Sequence, residues 1–203
     1  MMLEVFRQEF KHTGDVPRDA VRFLRLYDHS ETARHVTQVA AKAGELAERF
    51  GLDRGAAVIA GFLHDISAVI PNEQRIEVAL TYGLEVLPEE RKLPMITHQK
   101  LSALMARDLF GVTDGGILSA IGCHTTLKMN ASALDKVVFV ADKIAWDQAG
   151  TPSYLEKLEA AREQSLDAAA LVYLESLWQQ RESLPVLHPW AEEAYHQLAQ
   201  PTL

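Results

Sequence analysis

The hydrophobic residues of the chain recur at a helical spacing from Glu31 onwards. Between Glu31 and Phe50, small and apolar residues follow one another at steps of three and four, which is the pattern of a helix with one buried face. The same pattern continues almost to the end of the chain and predicts eight further helices, over residues 54–70, 72–82, 95–110, 115–123, 134–145, 152–164, 166–184 and 189–198.

Residues that favour helix ends lie between several of these segments. Asp28 with Glu31, and Ser132 with Asp135, have the spacing of a capping box, in which a side chain accepts a hydrogen bond from a free N–H of the first helical turn. Gly51 follows the first predicted helix, at the position where a glycine commonly ends one. The predicted boundaries therefore have local chemistry that supports them.

The other patterns also favour helices. Thr151 and Pro152 place a proline at the first position of a helix, where its missing N–H costs nothing. The run VVFV at 137–140 is strand-like but short and flanked by helix formers, and residues 84–94, with two prolines, are predicted to form a loop or a broken turn. No repeat or linker divides the sequence. We therefore predict one all-α domain over residues 1–203, a bundle of about nine helices.

The composition narrows the class of protein. Among 203 residues, 20 Lys and Arg face 28 Asp and Glu, which gives a net charge of −8. This charge argues against general binding to nucleic acid or to an anionic membrane, which relies on Lys and Arg. The single cysteine, Cys123, cannot form an internal disulfide, and the first 14 residues lack the apolar run of a signal peptide. We expect a soluble cytoplasmic protein without a nucleic-acid or membrane partner.

Six polar residues interrupt the apolar helix faces and are candidates for a metal site. His64 and Asp65 lie within the apolar segment 54–70, where a buried carboxylate is costly unless a cation or hydrogen-bond donors compensate for it. Helix bundles build metal centres from inward-facing imidazole and carboxylate side chains on several helices, and such ligands suit iron, manganese or zinc. The candidates lie on five helical segments: His35, His64, Asp65, His98, His124 and Asp142.

Each of these residues alone also has a structural explanation, as a core histidine bonded to a carbonyl or as a carboxylate at a helix end. Six of them in one small bundle favour a metal centre. An aspartate has two oxygens, so Asp65 can link two metals while His64 binds one of them. Two metals about 3.5–4 Å apart can hold phosphate oxygens and lower the pKa of a bridging water. This chemistry predicts a hydrolase of phosphate esters or anhydrides.

The order of these residues resembles that of the HD-domain metal-dependent phosphohydrolases, and within them the YqeK-like branch. The resemblance covers about residues 25–148, with the predicted C-terminal helices at 152–199 packed on this core. It implies an all-α HD fold with a dinuclear centre, of iron or of manganese or another metal, and symmetrical hydrolysis of diadenosine tetraphosphate to two ADP. The supporting strings are SETARHVTQVAAKAGELAERFGL, AAVIAGFLHDIS, THQKLSALMARDLFGV, ILSAIGCHTTL and LDKVVFVADKI.

The resemblance also implies a role for each ligand. His64 and Asp65 form the catalytic pair, and a hydroxide held between the metals attacks a phosphorus atom of the substrate. The first metal would be bound by His35, His64, Asp65 and Asp142, and the second by Asp65, His98 and His124.

Outside the ligands, the chain departs from the branch at three places. Ala68 stands where the branch has the lysine of HD-x-x-K, and Leu127 with Lys128 stands where a glycine and a basic residue follow the HT[ST] motif. Residues 145–148, Ala-Trp-Asp-Gln, replace Glu-Pro-x-Arg. The ligands are thus retained, whereas the residues expected to contact phosphate and nucleotide differ.

Four residues beside the ligands are candidate contacts to a nucleotide substrate, and Trp146 is a candidate to stack on a base. For the lysines and Arg34 the alternatives are a solvated side chain or a surface ion pair, and for Trp146 the alternative is core packing. The four candidate substrate contacts are Arg34, Thr125, Lys128 and Lys143.

Three other functions stay open on the sequence alone: an HD phosphohydrolase of another nucleotide or phosphoester, a non-catalytic nucleotide-binding module, and a purely structural bundle. Trp178, Trp190 and Tyr195 are expected either to pack the C-terminal helices onto the bundle or to form part of a homodimer face.

Overall fold

The apolar faces predicted from the sequence come together as a layered bundle of helices. The computed structural model describes residues 2–146 and 150–200. Within those residues it has no strand and contains twelve α-helices together with short 3-10 helices at Ile66–Val69, Asn72–Gln74 and Pro94–Thr97. The helices are α1 (Met2–Glu9), α2 (Val16–Leu26), α3 (Ser30–Arg49), α4 (Arg54–Leu63), α5 (Arg75–Thr81), α6 (Pro88–Lys92), α7 (His98–Asp108), α8 (Gly115–Gly122), α9 (Ala133–Ile144), α10 (Leu155–Ala161), α11 (Leu166–Gln179) and α12 (Pro189–Leu198).

The all-α class is confirmed, but the number of about nine helices is too low, because α1, α2 and α6 were not predicted. In α1, Leu3 and Phe6 are both buried, and α2 begins where the Asp15 side chain accepts a hydrogen bond from Arg18 N–H at 3.1 Å. In the predicted loop, Glu90 accepts a hydrogen bond from Leu87 N–H at 2.8 Å and so supports a short helix.

Two predicted helix starts are also wrong. Asp28 is left-handed, with φ of 65°, and α3 begins at Ser30 without a side-chain cap. Likewise α10 begins at Leu155, after the predicted proline start at Pro152. By contrast, Ser132 and Asp135 form the expected capping box of α9, and Gly51 is left-handed after α3.

Three helices, α3, α4 and α9, form the centre of the molecule. They contribute to two groups of buried residues, one facing α1, α2, α7 and α8, the other facing α10, α11 and α12. The first core cluster includes Phe23, Leu63, Leu101, Met105 and Ile121, and the second core cluster includes Val39, Leu46, Phe139, Leu158 and Leu174. The central helices also carry His35 and Asp142, and His64 directly follows α4, so the site lies between the two clusters.

Helices α3 and α4 run antiparallel and approach very closely at Gly61. A Cβ atom added at Gly61 would lie 2.6 Å from Ala40 Cα, so only glycine fits there. Because the helices are antiparallel, this contact brings the end of α4, with His64, beside the part of α3 that carries His35.

The predicted helix 54–70 ends early, at Leu63. His64 still has helical angles, but Asp65 has φ of −111° and ψ of 18°, and a 3-10 helix follows at Ile66–Val69. His64 and Asp65 therefore lie at a change of helix type and not within a continuous helix.

The C-terminal helices pack through aromatic residues. Trp178 of α11 stacks on Tyr195 of α12, with 4.9 Å between the ring centroids. This contact agrees with the packing role expected for these residues, and a homodimer face stays a prediction.

None of the helices in the described residues has by itself the length and hydrophobicity needed to span a membrane. The pair Arg54–Val69 and Asn72–Thr81, bent by 89°, meets the length and composition limits only when its two parts are taken together.

Candidate metal centre

The six predicted ligands come together at one end of the central helices. His35 is on α3, His64 and Asp65 follow α4, and Asp142 is on α9. His98 begins α7 and His124 lies just after α8. Five of the six line a cavity of about 360 Å³, the metal cavity, and His64 is fully buried behind it.

One group of side chains gathers around Asp142 and one oxygen of Asp65. Asp142 Oδ1 lies 3.1 Å from His35 Nε2 and 3.5 Å from His64 Nε2. Asp65 Oδ2 lies 3.6 Å from His64 Nε2 and 4.0 Å from His35 Nε2. The ligand atoms of His35, His64 and Asp142 are close enough together to hold one metal ion.

A second group faces the other oxygen of Asp65. Asp65 Oδ1 lies 3.1 Å from His98 Nε2 and 3.5 Å from His124 Nε2, and these two nitrogens are 2.9 Å apart. Asp65 thus presents one oxygen to each group, which is the arrangement that a bridging carboxylate needs.

Three of the histidines are oriented in the same way. Nδ1 of His64, His98 and His124 donates a hydrogen bond to the carbonyl three residues earlier, at 2.8, 2.6 and 2.8 Å respectively. These bonds fix the ring orientation and leave Nε2 as the ligand atom, as is usual for metal-binding histidines.

The donor atoms fit a metal better than they fit one another. With their protons on Nδ1, His98 and His124 turn two Nε2 lone pairs towards each other at 2.9 Å. The hydroxyl of Thr125, 3.1 Å from each nitrogen, can donate to only one of them. The buried Nε2 of His64 forms no hydrogen bond with any residue in the described ranges. A cation would satisfy all three nitrogens, and imidazole with carboxylate suits a transition metal.

The charges of the cluster also favour a cation. Burial alone would raise the pKa of Asp65, but His64, His124 and His98 hold this pKa well below its usual value. Burial opposes protonation of His64, yet Asp65 and Asp142 raise its pKa to about 9. The carboxylates thus stay ionised and attract positive charge, for which a proton and a metal ion compete.

His124 is held neutral. Burial lowers its pKa to about 4, and the neighbouring histidines His64 and His98 act in the same direction, against the opposing effect of Asp65. A neutral imidazole is the form that binds a metal.

Lys143 connects the two groups and was predicted as a substrate contact. Its ammonium is buried, 2.5 Å from Asp142 Oδ2, and donates a hydrogen bond to the His124 carbonyl at 3.2 Å. It also lies over the rings of Phe139 and Tyr173. Lys143 and Thr125 both line the metal cavity.

The other two predicted substrate contacts lie elsewhere. Lys128 turns towards Ser119, whose hydroxyl it meets at 2.7 Å, and lines a different cavity. Arg34 is exposed and pairs with Glu31 one turn earlier on α3. The structure does not bring either side chain to the ligand cluster.

The departures from the family pattern have different structural settings. Ala68 lies in the 3-10 helix Ile66–Val69 and packs against the first core cluster. Leu127 is buried with φ of 58°, so it adopts the left-handed backbone that the glycine of the branch favours. Trp146 lines the metal cavity and is 38% exposed. Asp147 and Gln148 lie outside the described residues.

Sequence reasoning missed one residue that supports the second group. The fully buried side chain of Gln99 accepts hydrogen bonds from the N–H groups of Thr125 and Thr126, at 3.2 and 3.3 Å, and donates one to Thr126 Oγ1 at 3.1 Å. Gln99 follows His98 directly and so ties it to the segment after His124. The available signal was a polar amide directly after a candidate ligand, at the start of a helix.

Comparison with known proteins identifies the family. The HD domain profile matches residues 32–147, more than half of the chain. A crystal structure of a predicted HD superfamily hydrolase involved in NAD metabolism, from Clostridium acetobutylicum, superposes with a TM-score of 0.81 at 26% identity, over 89% of this chain and 95% of that one.

Related sequences agree with this match. An uncharacterized protein from the pepC 5′ region of Lactococcus lactis subsp. cremoris is 48% identical over 143 residues, which are 70% of this chain and 72% of that protein. A symmetrical bis(5′-nucleosyl)-tetraphosphatase of Bacillus subtilis (strain 168) is 34% identical over 54% of this chain. The match spans 59% of the Bacillus protein, less than two thirds of its length. The profile match, the shared fold and the related sequences together show that the chain belongs to the HD domain family and is an HD-superfamily hydrolase.

Proposed function

We propose that the protein is a dinuclear metallophosphohydrolase that cleaves dinucleoside polyphosphates such as diadenosine tetraphosphate symmetrically, to two ADP. The observation that carries this proposal is the position of Asp65, whose two oxygens face separate groups of histidines at 3.1–4.0 Å. The similarity to symmetrical tetraphosphatases supports the choice of substrate.

The proposed ligands divide as the two groups do. Asp65 belongs to both, and iron is the metal we propose, with manganese as an alternative that the same donors accept. When bound, the two ions would supply Lewis-acid polarisation of the phosphate oxygens and lower the pKa of a bound water. The first ion would be held by His35, His64, Asp65 and Asp142, and the second by Asp65, His98 and His124.

Two further side chains would contact the phosphate chain. Two of the three ammonium protons of Lys143 are used by Asp142 and by the His124 carbonyl, which leaves one for a phosphate oxygen in the cavity. The Thr125 hydroxyl, beside His98 and His124, can likewise donate to a phosphate oxygen. Arg34 and Lys128 are not part of this proposed site, because their side chains lie outside the metal cavity.

Product analysis tests the proposal directly. The protein, loaded with Fe²⁺ or Mn²⁺, is incubated with diadenosine tetraphosphate, and the products are separated by chromatography. We expect ADP alone, and no product with His64→Ala. Equal amounts of AMP and ATP would contradict symmetrical cleavage, and the absence of any hydrolysis by the metal-loaded parent would overturn the proposal.

A second candidate is an HD phosphohydrolase of another nucleotide. Ala68 and Trp146 favour it, because they stand where the YqeK-like branch has a lysine and a proline. The same chromatographic assay, run with nucleoside mono-, di- and triphosphates, separates the two functions by which substrate disappears. Thermal stabilisation by a nucleotide without turnover would instead indicate a binding module.

A further inference from the structure

A second, smaller cavity adjoins the metal cavity. It has a volume of about 160 Å³ and shares Met95, Thr125 and Tyr173 with the metal cavity as common walls. We call it the side pocket. A group bound there would be continuous with a group bound at the metal ligands.

The walls of the side pocket are mainly apolar and come largely from the C-terminal helices. Leu177 of α11, Leu187 of the segment before α12 and Ala191 of α12 line it, together with Ile96. The first three lie beyond residues 32–147, which match the HD domain. The side pocket thus lies where the C-terminal part of the chain packs onto the residues that match the HD domain.

One polar side chain on the wall, His188, is directed at a carboxylate. The backbone N–H of Trp190 donates to His188 Nδ1 at 3.2 Å, so the proton of this imidazole is on Nε2. His188 and Glu90 are both buried, and His188 Nε2 lies 3.6 Å from Glu90 Oε1, within ion-pair distance. Apart from His188, Thr125, Thr126 and Tyr173, the residues that line the side pocket are apolar.

We propose that the side pocket binds a nucleobase of the substrate while the phosphate chain lies at the metal ligands. This inference rests on the proposed function. A volume of 160 Å³ is below the roughly 300 Å³ typical of a pocket for a whole drug-sized ligand, so it suits one planar ring system. The mainly apolar walls match the two faces of a base.

Tyr173 links the two parts of this site. One side of its ring lies near the Lys143 ammonium, 5.2 Å from the ring centroid, and the residue also lines the side pocket. Phosphate and base would therefore bind on neighbouring surfaces, with Tyr173 between them. The Met95 side chain, 44% exposed, borders both cavities and would cover the base from the open side.

The test compares two ligands that differ in having a base. Binding of ADP and of inorganic pyrophosphate to the Mn²⁺-loaded protein is measured by isothermal titration calorimetry. In the parent we expect ADP to bind more tightly than pyrophosphate. Leu177→Trp fills the side pocket and should weaken ADP binding about tenfold, the size of effect expected when one base contact is lost.

Pyrophosphate binding should stay within about twofold, as for a substitution remote from the bound group. Leu187→Trp fills the pocket from another wall and should act in the same way if Leu177→Trp does not fold. Leu80→Trp is the control, because Leu80 is exposed and lines neither cavity.

Equal loss of ADP and pyrophosphate binding, or unchanged ADP binding with the pocket filled, would overturn the inference. Equal affinity of the parent for both ligands would overturn it as well. Failure of the proposed reaction is a separate result, since it shows as absent hydrolysis of diadenosine tetraphosphate, whatever the binding ratio.

Discussion

Asp65 is the residue on which both groups of ligands depend. Its Oδ2 faces His64 and His35, and its Oδ1 faces His98 and His124. The change from α-helix to 3-10 helix at this residue puts the carboxylate between the two groups. Loss of this carboxylate would therefore affect both groups together, whereas loss of a histidine acts mainly on one.

Asp65→Asn is the first prediction. The amide keeps the size of the side chain but removes the negative charge that both groups share, and it turns one oxygen into a donor nitrogen that cannot bind a metal. We expect metal content to fall at both positions and hydrolysis to fall by at least about 100-fold, measured by elemental analysis and by product formation. Asp167→Asn is the matched control, because Asp167 is an exposed carboxylate on α11 that pairs with Lys136, away from the metal cavity. Full activity in Asp65→Asn would contradict the role assigned to this carboxylate.

The second prediction concerns Gln99, which positions the segment after His124. Gln99→Ala leaves the half-buried N–H of Thr125 and the buried N–H of Thr126 without their acceptor, at a cost of about 1–3 kcal/mol in folding free energy. We expect the second metal to be lost selectively, so that metal content falls towards half while His35, His64 and Asp142 retain the first.

The control for this variant is Gln197→Ala. The Gln197 side chain also accepts a hydrogen bond from a backbone N–H, that of Asn130 at 2.7 Å, but it lies on the exposed side of α12. Comparable metal loss in both variants would mean that Gln99 acts through general stability. Retention of both metals in Gln99→Ala would contradict a positioning role.

At the scale of elements, the site depends on the close packing of α3 against α4. The contact at Gly61 and Ala40 allows the two helix axes to approach, and His64 lies one turn beyond it. The sequence pattern predicted both helices, since their apolar spacing is regular. It did not predict where α4 ends, because residues 64–70 continue the apolar pattern while Asp65 leaves the helical backbone.

Gly61→Ala tests this packing. The added methyl group would lie 2.6 Å from Ala40 Cα, so the helices must separate, and we expect a loss of about 1–3 kcal/mol in the free energy of unfolding. Urea denaturation measures this. Gly122→Ala is the control, because its Cβ would lie 3.5 Å from Ala103 Cβ, an ordinary contact. Equal stability of the two variants would contradict the close approach.

Whether a helix could be predicted from the sequence depended on how regular its apolar spacing is. Helices with a regular apolar stripe, such as α3 and α11, were found because their burial follows the helical period. Helix α6 was missed because Pro88 and a run of charges dominate its sequence, and only Glu90 turns inward. The ligands were predictable because each is a polar residue that interrupts an apolar helical pattern, whereas Gln99 and the side pocket depend on contacts between distant segments.

At the scale of the whole molecule, an HD core at residues 32–147 carries additions at both ends. The C-terminal helices form the side pocket, and the N-terminal helices α1 and α2 pack through Phe6 and Phe23 into the first core cluster. Asp19 fastens the turn between α1 and α2, where its carboxylate accepts hydrogen bonds from Thr13 and Gly14 N–H groups and from Arg22.

Asp19 gives a prediction about pH. Burial raises its pKa, but the hydrogen bonds from Thr13, Gly14 and Arg22 outweigh burial and lower it. A carboxyl whose folded pKa is depressed stabilises the protein above its unfolded pKa, about 3.9, and this stability is lost as pH falls through the folded pKa. Asp19→Asn should therefore unfold more easily at pH 7, and the difference from the parent should shrink below about pH 4.

Urea denaturation at a series of pH values measures this difference. Asp15→Asn serves as a control with an exposed carboxylate on the same turn. A difference between parent and Asp19→Asn that grows on acidification would contradict the assignment.

In the proposed site, Asp65 lies between two metal ions. Anomalous difference maps from crystals of the protein grown with Fe²⁺ or Mn²⁺ would locate these ions. We expect two peaks, one beside Asp65 Oδ2 among His35, His64 and Asp142, and one beside Oδ1 between His98 and His124. A single peak, or metal bound away from Asp65, would contradict it.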